Sequence, residues 1–298
     1  MKKLYAVLAM LLATVLWGFA FSAQSRGMDH VGPLLFVALR SIVGVAALGI
    51  TAMCFDLVRF KRITFWGGAE TAQQRKFLLA GGVYCGLIIS AASTFQQLGL
   101  IHVTAGKTGF LTALYIIIVP LLGIFFKRRT SLLQWGAVLI SLAGAYLLCG
   151  GTSSLGWGEI CVIICALFFA LHIMVIDHYA PGCDCVRLSC IQFMTAAVAA
   201  AIFSQIFSEP WIWQEIVASL PFWGFCGVGS SAIAFTLQMV AQKYLHPVTA
   251  ALIMSLESVF GVLGGWLFLS ETLSGRELLG CCVIFIAVIA AQIPVHRK

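Results

Sequence analysis

The sequence predicts an all-α membrane protein that crosses the bilayer many times. Of its 298 residues, 61% are hydrophobic and only 10% are charged, whereas soluble domains carry about 25% charged residues. Apolar runs of roughly 20 residues recur along the whole chain, and a helix of that length crosses a bilayer core of about 30 Å. Ten such spans with short connections account for the length, so we expect the function to lie in or beside the membrane.

Hydropathy and turn residues define ten predicted spans. Their approximate bounds are 4–23, 33–54, 76–98, 106–126, 131–149, 156–177, 186–206, 219–242, 247–269 and 276–293. Several of the breaks carry turn or helix-breaking residues, such as Pro181-Gly182 and His246-Pro247. The longest connection, from 55 to 75, is rich in charged residues and is interpreted as a solvated loop.

The basic residues predict the orientation of these spans. With a cytoplasmic N-terminus, the loops on the inner side hold 14 of the 18 basic residues. These are Lys2, Lys3, Arg59, Lys61, Arg62, Arg75, Lys76, Lys127, Arg128, Arg129, Arg187, Lys243, Arg297 and Lys298. The positive-inside rule therefore predicts an integral inner (plasma) membrane protein with both termini in the cytoplasm. The net charge is +7, but most of the basic residues lie in or next to the connections between membrane spans. We therefore expect no nucleic-acid partner.

The ten spans divide into two sets of five, and we predict two domains over residues 1–150 and 151–298. Five is an odd number, so the second set enters the membrane from the opposite side, as in inverted-topology repeats. An offset of 144 residues pairs His102 with His246 and Gly136 with Gly280. An inverted repeat predicts a substrate site near the bilayer midplane, at the junction of the halves.

One carboxylate interrupts the apolar run from Ala250 to Leu269. Glu257 lies near its middle, where an ionised acid costs roughly 2.5 to 3.5 kcal/mol on insertion scales. It could bind a substrate cation or take up a proton, or it could form a hydrogen bond between the eighth and ninth spans. The sequence leaves both roles open.

Short motifs follow one another in a recognisable order. They are W-G-x-x-F at 17–21, T-G-F-L at 108–111 leading to V-P-L at 119–121, S-L-E-S-V-F at 255–260, L-S-E-x-L at 269–273 and a glycine at 280. In this order and spacing the chain resembles the EamA-type branch of the drug/metabolite transporter superfamily over nearly its whole length. The resemblance implies ten helices as two five-helix repeats, with a cavity lined mainly by helices 1, 3, 4, 6, 8 and 9.

The chain departs from the family pattern at two positions. Ser258 replaces the usual proline, so a kink in the ninth span is expected at Gly261 or at Gly264-Gly265. Lys127 occupies a position where the first half often carries an acid.

Several side chains in these helices are candidate ligands of a substrate. Trp17 and Phe21 share one face of the first span, and their rings could stack on a ligand or pack against other helices. Hydroxyl, amide and imidazole groups could likewise meet a ligand or only bond neighbouring helices. The predicted substrate site is Trp17, Phe21, Gln97, Thr112, Tyr115, His172, Gln238 and Glu257. Arg40 is expected to snorkel towards the outer interface and to lie outside the site.

The predicted function is a secondary active transporter that exports a small metabolite, an amino acid or amine, by alternating access, with protons as a candidate coupling ion. No P-loop is present, which argues against ATP hydrolysis. No cofactor or metal is expected, because Cys183-x-Cys185 lacks a zinc spacing. A lipid or lipid-linked carrier translocase remains an alternative. An intramembrane enzyme is disfavoured, because no H-E-x-x-H or G-x-S-x-G motif occurs.

Overall fold

In the computed structural model, which describes residues 1–125, 130–148, 156–272 and 274–291, every regular element is helical. The helices are α1 (Lys2–Gly27), α2 (Pro33–Phe60), α3 (Ala72–Leu100), α4 (Ala105–Thr112), α5 (Tyr115–Phe125), α6 (Leu132–Leu148), α7 (Trp157–Tyr179), α8 (Cys185–Ile206), α9 (Trp213–Ala218), α10 (Leu220–Phe225), α11 (Phe235–Gln242), α12 (Pro247–Met254), α13 (Glu257–Leu269) and α14 (Gly275–Ala291). A π-helical segment, Cys226–Ala234, joins α10 to α11.

Eight stretches of the described chain are long and apolar enough to cross a membrane. They are Lys2–Gly27, Pro33–Phe60, Ala72–Leu100, Ala105–Phe125, Trp157–Gly182, Cys185–Ile206, Leu220–Gln242 and Pro247–Leu269. Helices α6 and α14 have 17 described residues each, fewer than the roughly 20 that a span requires. The chain is therefore a multi-pass, all-helical membrane protein, with eight rather than ten spans of full length in its described part.

Some predictions fall on residues that the structure does not describe. The ends of the fourth, fifth and tenth predicted spans and the domain boundary at 150/151 lie outside the described residues. The same holds for Lys127, Arg128, Arg129, Leu273, Arg297 and Lys298.

Two predicted spans are interrupted in the same way. Helices α4 and α12 have eight residues each, and each is followed by a two-residue turn. After these turns, α5 begins at Tyr115 and α13 begins at Glu257. The two interrupted spans therefore correspond at an offset of 142 residues (257 − 115), not at the offset of 144 taken from the sequence.

Serine hydroxyls bond the backbone at the interruption between α12 and α13. The Ser255 hydroxyl donates to the Leu252 carbonyl and the Ser258 hydroxyl to the Ser255 carbonyl, both at 2.7 Å. Hydroxyls that bond the carbonyl one turn back compete with the helical ladder and bend it. Helix α13 continues through Gly261 and Gly264-Gly265, so the helix is interrupted at Ser255 instead of at these glycines. The break therefore precedes Ser258, which is the second residue of α13.

Polar loops gather at two ends of the bundle. At one, which we call the Glu209 end, Glu209 accepts hydrogen bonds from the backbone N–H groups of Leu34 and Leu35 at 3.0 and 2.6 Å. A carboxylate at a helix N-terminus satisfies orphan donors and is favoured by the helix dipole. Lys107 of α4 pairs with Glu159 of α7 at this end.

Glu271 holds the end of α13 to the start of α4. Its carboxylate accepts a hydrogen bond from the Ala105 backbone N–H, and burial raises the pKa of this carboxyl above its usual range. The acid of the L-S-E motif therefore has a structural contact of its own.

The opposite end, which we call the Arg187 end, is closed by a denser network. Arg187 of α8 donates to both carboxylate oxygens of Asp56 at 2.6 and 2.7 Å, and it also donates to Asp184 at 3.1 Å. The same guanidinium bonds the Thr64 carbonyl at 3.0 Å. These contacts fasten the 55–75 connection onto α8.

Substitution at Gly18 tests the close approach of α1 to α13. A Cβ at Gly18 would overlap Phe260 and lie 2.9 Å from the Gly261 nitrogen, so Gly18→Ala should destabilise the fold by about 1–3 kcal/mol. A lowered unfolding midpoint in detergent is expected. Gly49→Ala is the control, because nothing lies within 4 Å of a Cβ there. Equal midpoints for the two variants would contradict this packing.

The Arg187 network gives a second prediction. Asp56→Asn leaves the buried Arg187 without its main counter-charge, and breaking a buried pair costs about 3–5 kcal/mol. Asp184→Asn should cost at most about 1 kcal/mol, because the Asp184 side chain is 32% exposed and asparagine is an equally good N-cap. Unfolding midpoints of the two variants in detergent check this order, and the reverse order would refute it.

Candidate functional site

A narrow cavity lies between the two interrupted spans. Residues from α1, α2, α3, α5, α7, α11, α12, α13 and the π-helical segment line it. Its volume is about 20 Å³, which is room for one or two water molecules. A metabolite therefore fits only after the surrounding helices move apart.

Aromatic rings form much of the cavity wall. Trp17 and Phe21 come from α1, Phe169 from α7 and Phe235 from α11. The rings of Trp17 and Phe235 meet edge to face, with centroids 4.8 Å apart. Such faces can hold an apolar, aromatic or cationic part of a ligand.

The two interrupted spans meet in this cavity through one hydrogen bond. The Tyr115 hydroxyl donates to Oε1 of Glu257 at 2.9 Å, and both side chains are buried. Each is the first residue of the helix that follows the break. Glu257 therefore lies at the N-terminus of α13, where the positive end of the helix dipole favours a carboxylate.

Arg40 is a cavity residue that the sequence analysis placed outside the site. Its side chain is buried instead of snorkelling, and it lines the cavity together with Gln24 and Ser230. An intramembrane arginine is by itself a signal of function. Its place near the end of the second span obscured that signal. The π-helical segment packs closely against α2 at this point, since a Cβ on Gly227 would lie 2.8 Å from the Arg40 carbonyl. Residue types alone do not predict this contact.

Four of the eight predicted site residues line the cavity, and the other four do not. The four that line it are Trp17, Phe21, Tyr115 and Glu257. Thr112 lies directly behind the wall, where its hydroxyl accepts from the cavity residue Gln96 at 3.3 Å. Gln97 is fully buried, and neither of its amide atoms has a partner among the described residues.

His172 and Gln238 lie in the packing between helices. The Nε2 atom of His172 is 2.8 Å from Oε1 of Gln192, and its ring meets Phe235 edge to face. Gln238 donates to Gln242 at 2.9 Å, and Gln242 donates to the Ile173 carbonyl at 3.0 Å. In this conformation these groups connect α7, α8 and α11 instead of facing the cavity.

Within the described residues, no group of three His, Cys, Asp or Glu side chains could hold a metal ion. Cys183 and Cys185 are buried at the Arg187 end. Burial raises the pKa of the Cys183 thiol to about 11, which disfavours the thiolate that metals bind.

Known proteins share both the sequence pattern and the fold. An uncharacterized transporter of Archaeoglobus fulgidus is 28% identical over 301 residues, covering 99% of this chain and 88% of the relative. The threonine/homoserine exporter RhtA of Salmonella typhimurium is 31% identical over 88 residues, covering 30% of this chain and 28% of the exporter. A protein crystal structure matches with a TM-score of 0.74 at 19% identity, covering 97% of this chain and 96% of the other, and so shares its fold.

The EamA-like transporter family model matches the chain in two segments, residues 4–150 and 156–291. Together they include nearly all of the helices and every residue that lines the cavity. The chain belongs to the EamA-like transporter family.

Proposed function

We propose that the protein is a secondary active transporter that exports a small metabolite, an amino acid or amine, by alternating access through the central cavity. The observation that carries this proposal is the Tyr115–Glu257 hydrogen bond, which joins the two interrupted spans inside a small, partly polar cavity. Interrupted helices at membrane depth are tolerated where they border a cavity, and transporters place substrate and ion sites there.

The proposed architecture is ten helices in two inverted repeats, residues 1–150 and 151–298. Two separate matches to one family model support it. The packing supports it as well. Helix α4 contacts α13, and α12 contacts α5, so the first half of each interrupted span packs against the second half of the other. Likewise α1 packs on α13 and α7 on α5. Equivalent contacts on both sides are what two related halves would produce.

We place the Arg187 end of the bundle in the cytoplasm, together with both termini. The 55–75 connection at this end carries Arg59, Lys61, Arg62 and Arg75. Arg187 and Lys243 lie there as well, and the Lys243 ammonium donates to the Cys183 carbonyl at 2.7 Å. An excess of basic residues marks cytoplasmic loops.

In this proposal Glu257 binds the cationic group of the substrate or exchanges a proton for it. The rings of Trp17 and Phe21 and the hydroxyl of Tyr115 complete the substrate site. We propose that Thr112, Gln97, His172 and Gln238 reach the substrate only in conformations where the cavity is wider, because none of the four lines it here. The partial similarity to RhtA, which is named a threonine/homoserine exporter, favours amino acids among the candidate metabolites.

A second candidate substrate is a lipid or a lipid-linked carrier. A groove of about 710 Å³ opens at the Glu209 end, between aromatic residues of α1, α10 and α13, with Arg26, Asp29 and His30 among its lining residues. An apolar groove with polar groups suits a chain with a polar head. The groove is distinct from the cavity that holds Glu257.

Flux measurements separate the two candidates. Purified protein in liposomes should move labelled L-amino acids, starting with threonine and homoserine, with saturation and with a dependence on the pH gradient. Protein-free liposomes give the background. Absence of flux for all amino acids and amines, together with translocation of a labelled lipid, would replace the leading candidate with the second.

Removing the Glu257 charge tests its role. Glu257→Gln keeps an acceptor for the Tyr115 hydroxyl but loses the negative charge, so we expect flux to fall by about tenfold or more, as when a charged hydrogen bond is lost. Insertion and thermal stability should be nearly unchanged. Glu70→Gln, in the exposed 55–75 connection, is the matched control. Full flux with lowered stability in Glu257→Gln would make Glu257 a structural residue.

Reporter fusions test the proposed orientation. Alkaline phosphatase, which is active only outside the cytoplasm, should be active when fused after Glu209 and inactive when fused after Arg62. The opposite result would invert the topology, because these residues lie at opposite ends of the bundle.

A further inference from the structure

Arg40 is a buried cation held by neutral groups alone. Its side chain is 3% exposed. The guanidinium donates to Ser231 Oγ at 3.2 Å, to Gln24 Oε1 at 2.9 Å and to Ser230 Oγ at 3.0 Å. Among the described residues, no carboxylate lies within ion-pair distance of it. Buried charges are normally paired, because an uncompensated charge in a low dielectric is costly.

The hydrogen bonds fix the guanidinium without neutralising it. An arginine side chain has five N–H donors. The three bonds occupy the Nε donor and one donor on each terminal nitrogen. One N–H on each terminal nitrogen is therefore left without an acceptor in the described chain. Serines 230 and 231 are neighbours within the π-helical segment Cys226–Ala234, and such segments are frequent at functional sites.

A second donor without an acceptor lines the same cavity. The Trp17 indole N–H is buried and has no partner among the described residues. The cavity therefore offers a fixed positive charge and spare donors at Arg40 and Trp17, and a carboxylate at Glu257. Two planar N–H groups match the geometry of a carboxylate better than that of any other common metabolite group except phosphate.

We infer that Arg40 is the binding subsite for the carboxylate of the transported molecule, so that the substrate is an amino acid and not a simple amine. The inference rests on the proposed function and names its substrate class. Glu257 and Tyr115 would bind the ammonium group of the amino acid. The aromatic rings that line the cavity would contact its side chain. Gln24, Ser230 and Ser231 act as positioning residues that hold the guanidinium.

Ligand pairs that differ only in the carboxylate test the inference on the unaltered protein. Thermal unfolding in detergent is measured with each of the common L-amino acids, with its methyl ester and with its decarboxylated amine, since a ligand that binds only the folded state raises the midpoint. At least one free acid should raise the midpoint, and its ester and amine should not. Equal shifts from acid, ester and amine, or no shift from any acid, would overturn the inference.

Variants of Arg40 add a second readout. Arg40→Gln should weaken the affinity for that acid at least about tenfold, Arg40→Lys should weaken it less, and Arg59→Gln, an exposed arginine outside the cavity, should leave it unchanged. An Arg40→Gln protein that folds and binds the acid with unchanged affinity would make Arg40 a structural tie between α1, α2 and the π-helical segment. If Arg40→Gln does not fold, the ligand pairs on the unaltered protein decide.

Liposome flux separates this inference from the proposed function. Transport of amines but not of amino acids would retain a transporter and refute the carboxylate subsite. Binding of an acid that depends on Arg40, without flux of any metabolite, would retain the subsite and refute transport.

Discussion

The Tyr115–Glu257 hydrogen bond is the contact on which the centre of the molecule depends. It joins the first residues of two helices that begin in the middle of the bundle. At each break the backbone tightens but stays bonded, because the N–H groups of Leu114 and Leu256 donate to the carbonyls of Leu111 and Ile253, three residues back. Lipid offers no partner to a backbone group, so this local bonding is what allows a bend at membrane depth. The two interrupted spans lie against each other and against α1 and α7, and the cavity lies where these helices meet.

The buried polar groups fall into two sets, one around the cavity and one between the helices behind it. Around the cavity lie groups with charge, namely Glu257 and Arg40, whose partners are a hydroxyl, an amide and two serines. Behind it, amides and an imidazole connect α7, α8 and α11. Each interhelical bond of the second kind contributes about 0.6 to 2 kcal/mol in a membrane, enough to align helices but little enough to be exchanged during a movement.

The sequence predicted the positions of the helices along the chain better than their continuity. Hydropathy depends on residue type, so it located spans such as Lys2–Gly27 to within a few residues. It could not locate the breaks before Tyr115 and Glu257, because the residues at the two turns, Ala113-Leu114 and Ser255-Leu256, are compatible with a continuous helix as well. Helical spacing correctly predicted that Trp17 and Phe21 share one face of the first helix. Arg40 was missed because its neighbours, Ser230 and Ser231, are about 190 residues away in the chain and adopt a π-helical turn.

The two ends of the bundle are closed by contacts of unequal strength, and in the proposed alternating-access cycle this inequality matters. At the Arg187 end, the Arg187–Asp56 pair is nearly fully buried, and separating it exposes two charges that are expensive to leave unpaired. At the Glu209 end, the His30–Glu215 contact is between side chains that are 36% and 45% exposed, and exposed pairs contribute about 0–1 kcal/mol. Water replaces the partners of such a pair at little cost. The Glu209 end also holds the Lys107–Glu159 pair, whose side chains are 24% and 13% exposed. In the proposed cycle the contact that separates at least cost is therefore the one between the α1–α2 connection and α9, and not the whole Glu209 end.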